Sequence, residues 1–302
     1  MILVTGVNGQ LGHDVVNELH GRGLVTLASD LTPAYAGEAD GSAVTAVQYQ
    51  PLDLTDRAAV QRVMNKWQPD AVIHCAAYTA VDAAEENAET AHAVNADATR
   101  YLAEACRACG AKLMYISTDY VFDGQGDTPW QPDCKAFAPR NVYGQTKLAG
   151  EQAVAETLEN FFIVRIAWVF GKNGKNFVKT MLRLGETHDT LRVVCDQIGT
   201  PTYTLDLARL LADMIATDRY GYYHATNEGG YLSWAQFAEA IFRAAGMQNV
   251  TVIPVTTAEY GLSKAARPFN SRLDKQKLTQ NGFVPLPDWQ DALSRYLKEI
   301  GK

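Results

Sequence analysis

Short runs of apolar and β-branched residues alternate with amphipathic stretches along the first two thirds of the chain. Most of these runs are as long as strands and nearly continuous in apolar residues, as burial on both faces of a sheet requires. Amphipathic stretches of helical length lie between most of them, for example at 84–108 and 143–158. The alternation predicts an α/β fold, a Rossmann-type doubly wound parallel sheet. Its first six strands are predicted at 2–5, 24–29, 44–49, 71–74, 112–117 and 162–167.

The alternation ends near Phe170, where a less regular region begins. The elements predicted there are a helix at 177–184, a strand at 191–194, a helix at 205–216, a strand at 220–226 and a helix at 233–245. The strand at 220–226 has the composition of a core strand. We therefore expect the chain to return to the central sheet after a second lobe has begun.

This return predicts two interleaved lobes. The Rossmann domain would comprise 1–170 and about 203–230, and a smaller C-terminal lobe about 171–202 and 231–302. Ligands of open α/β sheets bind at the carboxyl ends of the strands. We expect the site in a cleft between the lobes, with a cofactor on the first and a substrate on the second.

Composition narrows the classes of partner. The 302 residues are 47% hydrophobic and carry a net charge of -7, which argues against nucleic acid or an anionic membrane as the main partner. Met1 leads directly into an apolar run without a basic targeting segment, and no run approaches the roughly 18 apolar residues that span a bilayer. We expect a cytoplasmic protein.

The five cysteines, an odd number, indicate reduced thiols, and the C-x-x-C pair Cys106 and Cys109 lies in a predicted helix, which favours a structural role.

Three glycines follow the first predicted strand, in Gly6-Val-Asn-Gly9-Gln-Leu-Gly12. Gly6 allows a tight turn, Gly9 allows the backbone to approach a pyrophosphate, and Gly12 allows close packing of helix on strand. The free N–H groups at the start of the helix attract anionic oxygens. The spacing is GxxGxxG, and its position between strand and helix favours a dinucleotide site over a simple tight turn.

Two carboxylates lie where an adenosine moiety would be bound. Asp30 ends the second strand, where it can accept hydrogen bonds from ribose hydroxyls, and no arginine follows closely to bind a 2′-phosphate. This favours NADH over NADPH, unless Asp30 is only a loop residue. Asp53 and Leu54 follow the third strand and would contact the adenine; for Asp53 a plain helix N-cap is the alternative.

A second group of residues is suited to proton transfer. Tyr143 and Lys147 are four residues apart on one face of a predicted helix, and Thr118 ends a strand earlier in the chain. A neighbouring ammonium group stabilises a phenolate, so we expect Lys147 to lower the pKa of Tyr143 below its usual value of about 10. Lys147 can also bind a nicotinamide ribose, and the Thr118 hydroxyl can polarise a carbonyl.

Together and in this order, these motifs resemble the extended short-chain dehydrogenase/reductases. Cys75, Ala76 and Ala77 and the helical Asn95 also fall at that superfamily's positions. Longer segments are similar to its dTDP-4-dehydrorhamnose reductases, over essentially the whole chain. These segments are HCAAYT at 74–79, ISTDYVF at 116–122, NFVKTM at 176–181, DQIGTP at 196–201 and RPFNSR at 267–272.

The resemblance implies an activity: reduction by NADH or NADPH of the 4-keto group of dTDP-4-dehydro-β-L-rhamnose, the last step in making that activated sugar. Tyr143 would protonate the new alkoxide, Thr118 would hold the ketone oxygen and Lys147 would bind the ribose. Asn95 would brace the site. The implied cofactor contacts are Gly6, Gly9, Gln10, Leu11, Gly12, Asp30, Asp53, Leu54, Cys75, Ala76, Ala77, Tyr78, Asn95, Tyr143 and Lys147.

The implied substrate contacts are Thr118, Asp119, Tyr143, Trp168 and Arg267. Trp168 would offer a flat apolar face to a deoxysugar, or would be only a core aromatic. Arg267 would bind the substrate's pyrophosphate in bidentate fashion, or would form only a surface salt bridge.

Two features depart from the pattern. Ile166 and Ala167 stand where the family usually has threonine and serine, so two hydroxyls near the nicotinamide are lost. Some members form homodimers bridged by magnesium through several glutamates; Asp14 stands where one is expected, and the others are not identifiable. We expect no metal, and a monomer or homodimer that binds a nucleotide sugar.

Two rival functions remain. One is another enzyme of the superfamily, either a different nucleotide-sugar 4-ketoreductase or a 4,6-dehydratase or epimerase that would regenerate its NAD. The dehydratases, however, carry Thr-Asp-Glu where this chain has Thr118, Asp119 and Tyr120. A regulatory subunit similar to the β subunit of methionine adenosyltransferase would bind a cofactor without turnover. The intact set of Thr118, Tyr143 and Lys147 favours catalysis.

Overall fold

The structure, a computed structural model, describes residues 1–302. Its strands are β1 (Ile2–Thr5), β2 (Thr26–Asp30), β3 (Gln48–Pro51), β4 (Ala71–His74), β5 (Lys112–Thr118), β6 (Phe161–Ile166), β7 (Val169–Phe170), β8 (Thr190–Val194), β9 (Ile198–Gly199), β10 (Thr202–Tyr203), β11 (Gly221–His224), β12 (Leu232–Ser233) and β13 (Thr251–Val255). Its α-helices are α1 (Gln10–Gly21), α2 (Arg57–Trp67), α3 (Val81–Ala84), α4 (Ala88–His92), α5 (Ala98–Cys109), α6 (Val142–Thr157), α7 (Phe177–Gly185), α8 (Thr204–Ile215), α9 (Trp234–Ala244), α10 (Thr257–Tyr260), α11 (Gln276–Gln280) and α12 (Trp289–Glu299).

Seven parallel strands form the central sheet, in the order β3-β2-β1-β4-β5-β6-β11. The order reverses between β1 and β4, which is the switch point where ligands bind in such sheets. The predicted fold class is confirmed. β11 pairs with β6, so the chain does return to the sheet. The third strand begins later than predicted, because residues 43–45 form a 3₁₀ turn.

Helices cover both faces of this sheet. On one face α1 and α8 pack together over a core that includes Val15, Leu19 and Leu211. On the other face α2 and α5 contribute to a core that includes Met64 and Leu102. Burial of apolar side chains on both faces explains why the strands read as nearly continuous apolar runs.

A third core lies in the smaller lobe. There α7, α9 and α12 surround a cluster of aromatic residues that includes Phe170, Phe237 and Trp289. Leu278 and Phe283, which come late in the chain, instead join the core of the central sheet next to α1 and α8. The assignment of one ligand to each lobe stays a prediction.

The amphipathic stretch at 84–108 is not the single helix that its pattern predicts. It consists of α4, a π-helical turn at Ala93–Asp97, and α5. The π turn contains Asn95, which is buried. Such turns are frequent at functional sites, and this one contains one of the predicted site residues.

Arg165 on β6 and Glu151 on α6 form a buried ion pair behind the site. The guanidinium donates two hydrogen bonds to the carboxylate, at 2.8 and 2.7 Å, and a third to the carbonyl of Pro132. The side chains are 0% and 1% exposed. The pair fixes α6, which carries the predicted catalytic residues, against the sheet.

No helix of the structure is both long enough and apolar enough to cross a membrane.

Candidate active site

The glycine loop joins β1 to α1 and leaves no room for a side chain at Gly6 or Gly12. Gly6 has a φ of +75°, and a Cβ atom on it would lie 2.5 Å from the backbone nitrogen of Ala76. A Cβ atom on Gly12 would lie 2.3 Å from the carbonyl oxygen of Gly6. No side chain caps the start of α1 at Gly9. The first N–H groups of α1 are therefore without a side-chain acceptor, and the loop fits the pyrophosphate of a dinucleotide.

Asp30 lies at the end of β2, beside this loop. Its carboxylate accepts hydrogen bonds from the backbone N–H groups of Asn8, at 2.9 Å, and Leu31, at 2.8 Å. The side chain is partly exposed. It is thus held next to the glycine loop, where a bound ribose would lie.

Asp53 does not cap a helix. Its Oδ1 accepts hydrogen bonds from the N–H and hydroxyl of Thr55, at 2.9 and 2.6 Å, whereas the N-cap of α2 is Asp56. Asp53 is exposed, and Leu54 packs partly against the core. The N-cap alternative for Asp53 is therefore wrong, and its contact with adenine stays a prediction.

Asn95 connects the segment after β4 to α6. Its side chain accepts a hydrogen bond from the N–H of Tyr78 at 2.8 Å and donates to the carbonyl of Tyr78 at 3.2 Å. It also donates to the hydroxyl of Thr146 at 3.0 Å. The partly exposed segment from Cys75 to Tyr78 is thereby fixed opposite the glycine loop. All three partners of Asn95 are protein groups, which suits a bracing role.

Thr118 and Tyr143 come together from neighbouring elements. Thr118 is the last residue of β5, and Tyr143 lies in the first turn of α6, which Asn141 caps by accepting a hydrogen bond from Gly144. The ring of Tyr120 packs edge-on against that of Tyr143, with centroids 5.4 Å apart. Thr118 is buried and Tyr143 partly buried. A threonine hydroxyl and a phenol thus lie together at the carboxyl edge of the sheet.

Lys147 is buried one turn further along α6. Its ammonium nitrogen donates to the carbonyl of Ile116 at 2.7 Å and lies 4.0 Å from the centre of the Tyr115 ring. Burial lowers the pKa of Lys147 to about 7, although the nearby Glu151 carboxylate acts in the opposite direction.

The pKa of Tyr143 differs from the expectation. Burial raises it above 10, the charge of Asp119 raises it further, and the Thr118 hydroxyl opposes both. The predicted lowering by Lys147 is wrong, because the ammonium group is directed to Ile116 and Tyr115 instead. The phenol stays protonated at neutral pH, which is the state that a proton donor needs.

Trp168 lies directly after β6 in a left-handed backbone conformation, with a φ of 51°. Its ring stacks on that of Trp234, with centroids 3.7 Å apart and an angle of 15° between the planes. Gly199 lies against the same ring, since a Cβ atom there would come within 2.9 Å of it. Left-handed conformations of bulky residues are rare and often mark functional sites. One face of Trp168 is already covered by Trp234.

Arg267 forms the salt bridge that the sequence left as its alternative. Its guanidinium donates to both carboxylate oxygens of Asp82, at 3.0 and 2.7 Å, and to the hydroxyl of Ser263. The pair holds the pKa of Asp82 well below its usual range. Arg267 also lies close enough to Tyr120 to influence its pKa, which places the guanidinium at the edge of the site.

Asn173 is a site residue that the sequence did not single out. It is 3% exposed and donates to the carbonyls of Asn8 and Gly9, at 2.8 and 3.2 Å. Its own oxygen accepts from the N–H of Glu38 at 3.0 Å. Asn173 thus ties the segment after β7 to the glycine loop. The only available signal was its place in a Gly- and Asn-containing loop.

The remaining predictions concern metals and thiols. The five cysteines are free, and Cys106 and Cys109 lie in α5 as predicted. No group of three or more His, Cys, Asp or Glu side chains is arranged to hold a metal. Asp14 is buried, and burial raises its pKa to about 7. The absence of a metal stays a prediction.

Comparison with known proteins agrees with this geometry. The chain matches the RmlD substrate binding domain family over residues 1–301. A dTDP-4-dehydrorhamnose reductase of Streptomyces griseus is 43% identical over 298 residues, which cover 97% of this chain and 91% of that protein.

Two solved structures are also similar. The dTDP-4-dehydrorhamnose reductase of Bacillus anthracis in complex with NADP is 42% identical, with a TM-score of 0.88 over 99% of this chain and 98% of that one. A dTDP-4-dehydrorhamnose reductase from Clostridium acetobutylicum is 39% identical, with a TM-score of 0.90 over 100% of this chain and 99% of that one.

The sheet, the glycine loop and the Thr118–Tyr143–Lys147 group define an oxidoreductase of the extended short-chain dehydrogenase/reductase class, which uses a nicotinamide dinucleotide. The resemblance inferred from the motifs is confirmed. The chain belongs to the RmlD substrate binding domain family.

Proposed function

We propose that this protein reduces the 4-keto group of dTDP-4-dehydro-β-L-rhamnose and so produces dTDP-β-L-rhamnose. The observation that carries the proposal is the meeting of Thr118 and Tyr143 at the carboxyl edge of the sheet, the same edge from which the glycine loop leaves β1. The identity of the substrate is proposed from the relatives named dTDP-4-dehydrorhamnose reductase, which are similar to this chain over nearly its whole length.

Each residue of the group has one task in this reaction. The bound dinucleotide supplies the hydride. Tyr143 keeps its proton at neutral pH and gives it to the oxygen of the former ketone. Thr118 donates a hydrogen bond to that oxygen and stabilises the charge that develops on it. Lys147, buried beside Tyr143 on α6, binds the ribose of the cofactor.

For the cofactor we propose a preference for NADH. Asp30 lies beside the glycine loop with its carboxylate partly exposed, and a 2′-phosphate there would meet a negative charge. The Bacillus anthracis relative was solved with NADP, so the preference of this chain has to be measured directly.

For the nucleotide sugar we propose contacts with Asp119, Trp168 and Arg267. Trp168 is partly exposed and lies where the smaller lobe meets the sheet. Arg267 would exchange its carboxylate partner, Asp82, for a phosphate of the substrate. The protein would act in the cytoplasm as a monomer or homodimer, and without a metal.

The rival functions lack support at specific positions. A dehydratase needs a carboxylate base at the position of Tyr120, whose pKa is raised by burial. A regulatory subunit would not require Thr118, Tyr143 and Lys147 in one group.

The test is a coupled assay in which the 4-keto sugar is generated in place and the oxidation of NADH and of NADPH is followed separately. We expect one equivalent of reduced dinucleotide to be oxidised per sugar. Conversion of dTDP-glucose without net loss of NADH would contradict the proposal. A preference for NADPH above tenfold would contradict the role of Asp30.

A variant pair tests the assignment of Tyr143. Tyr143→Phe should lower kcat by about 100-fold, the scale of a lost general acid, with little change in cofactor affinity. Tyr101→Phe is the matched control, since Tyr101 lies on α5 and its hydroxyl has no hydrogen-bond partner in the protein. Unchanged turnover of Tyr143→Phe would remove this residue from the mechanism.

A further inference from the structure

Thr118 and Asp119 form a buried hydrogen-bonded pair at the end of β5. The Oγ1 atom of Thr118 lies 3.0 Å from Oδ1 of Asp119 and accepts a hydrogen bond from the N–H of Tyr120 at 3.3 Å. The two residues are 5% and 2% exposed. The other carboxyl oxygen of Asp119, Oδ2, is buried and has no hydrogen-bond partner. An ionised carboxylate would be poorly satisfied there.

The number of protons on Thr118 limits what it can do. A hydroxyl has one proton to donate and two lone pairs that accept. If Asp119 is ionised, it can only accept, so the single proton of Thr118 points at Asp119 and none is left for a ketone. If Asp119 is neutral, its O–H can donate to Thr118 instead. Together with the N–H of Tyr120 this fills both lone pairs of Oγ1, so the hydroxyl proton is no longer held by Asp119 and can point to the side of Tyr143, where the ketone would bind.

We propose that Asp119 is a positioning residue that works in its neutral form: its O–H donates to Oγ1 of Thr118 and so turns the hydroxyl proton of Thr118 toward the substrate ketone. The inference rests on the proposed function, because it needs a carbonyl substrate. The unpartnered Oδ2 then remains as a neutral acceptor for a hydroxyl of the sugar.

The surroundings of Asp119 favour its neutral form more than water does. Burial raises its pKa to about 6, and the nearby hydroxyls of Ser271 and Thr118 limit the rise. The groups that face it are the phenols of Tyr120 on the same turn and Tyr143 on α6, both with raised pKa values, and the hydroxyl of Ser271. None of these neighbours is a cation.

The test compares the pH dependence of kcat/KM in wild type and D119N, with preformed 4-keto sugar. In wild type, kcat/KM should decline as the pH rises, because Asp119 ionises and can no longer donate to Thr118. An amide can donate to Thr118 at every pH, so D119N should lack this part of the decline. With a pKa of about 6, the neutral fraction of Asp119 falls about fivefold between pH 6 and pH 7. The ratio of wild type to D119N should therefore fall about fivefold over this interval. Taking the ratio removes any decline from Lys147, which both proteins share.

The matched control is D123N, because Asp123 lies on the same segment and only caps a turn at Gln125. Its pH profile should coincide with that of wild type. A ratio of wild type to D119N that stays constant within twofold would overturn the inference. Absence of turnover by wild type at every pH would instead contradict the proposed function itself, so the two failures are distinguishable.

Two further measurements add to this test, and the first holds even if D119N folds poorly. S271A removes a nearby hydroxyl that lowers the pKa of Asp119, so the decline of kcat/KM should move to higher pH; an unmoved decline counts against the inference. Infrared spectra of protein with ¹³C-labelled aspartate, recorded without substrate, should show a carboxylic-acid band that titrates near pH 6 and is missing in D119N. Absence of that band at pH 5 would also overturn it.

Discussion

Gly12 offers a direct test of the glycine loop. In Gly12→Ala the new Cβ atom would lie 2.3 Å from the carbonyl oxygen of Gly6 and 2.9 Å from Cα of Val7. Ordinary contacts begin near 3.4 Å, so α1 and the loop would have to separate by about 1 Å. Overpacking of this kind costs roughly 1–3 kcal/mol of stability. The same displacement moves the N–H groups at the start of α1 away from the pyrophosphate.

We therefore expect Gly12→Ala to raise the Kd for the reduced dinucleotide at least tenfold, which corresponds to about 1.4 kcal/mol. Fluorescence titration gives the Kd, and urea unfolding gives the stability. Gly21→Ala is the matched control: it lies in the same helix, and its Cβ atom would meet nothing within 4 Å. That change should leave the Kd unchanged and raise stability by up to roughly 1 kcal/mol. Equal cofactor affinity in both variants would refute the role of the loop.

Three further changes test the contacts around the site. In steady-state assays, Arg267→Ala should raise the KM for the nucleotide sugar at least tenfold and change kcat less than threefold. Lys264→Ala is the control, because the side chain of Lys264 is exposed and pairs with Glu86; it should change KM less than twofold. Glu151→Gln should lower the free energy of unfolding by about 3–5 kcal/mol, measured by urea unfolding, because it leaves Arg165 buried without a counter-charge. Asn173→Asp should weaken dinucleotide binding at least tenfold in fluorescence titrations, because a carboxylate oxygen would face two backbone carbonyls.

The parts of the fold that could be predicted are those with local causes. The strands β1 and β4 lie where their apolar runs predict them, because burial on both faces demands such runs. The glycine loop and the pairing of Tyr143 with Lys147 on one helix are also properties of short segments. The return of β11 to the sheet was predictable because the run at 220–226 has the composition of a core strand.

The parts that could not be predicted depend on residues far apart in the chain. Asp82 and Arg267 are 185 positions apart, and nothing local to either one indicates their pairing. Asn173 contacts the carbonyl of Asn8 across 165 positions. The prediction that Lys147 lowers the pKa of Tyr143 failed for a related reason. Spacing puts Lys147 on the correct face of the helix, but only the packed structure shows that its ammonium group is directed to Ile116.

The two proposed pyrophosphate sites differ in how ready they are to bind. At the start of α1 no side chain competes for the N–H groups, so a cofactor meets preformed donors. Arg267, by contrast, already holds both oxygens of Asp82, and a substrate phosphate has to displace that carboxylate. The free energy lost when Arg267 separates from Asp82 offsets much of the free energy gained when Arg267 binds the phosphate, since both partners are anions of similar geometry. Cofactor affinity should therefore depend on backbone geometry, and nucleotide-sugar affinity on the exchange of one carboxylate for one phosphate, whatever the net charge of -7 over the whole chain.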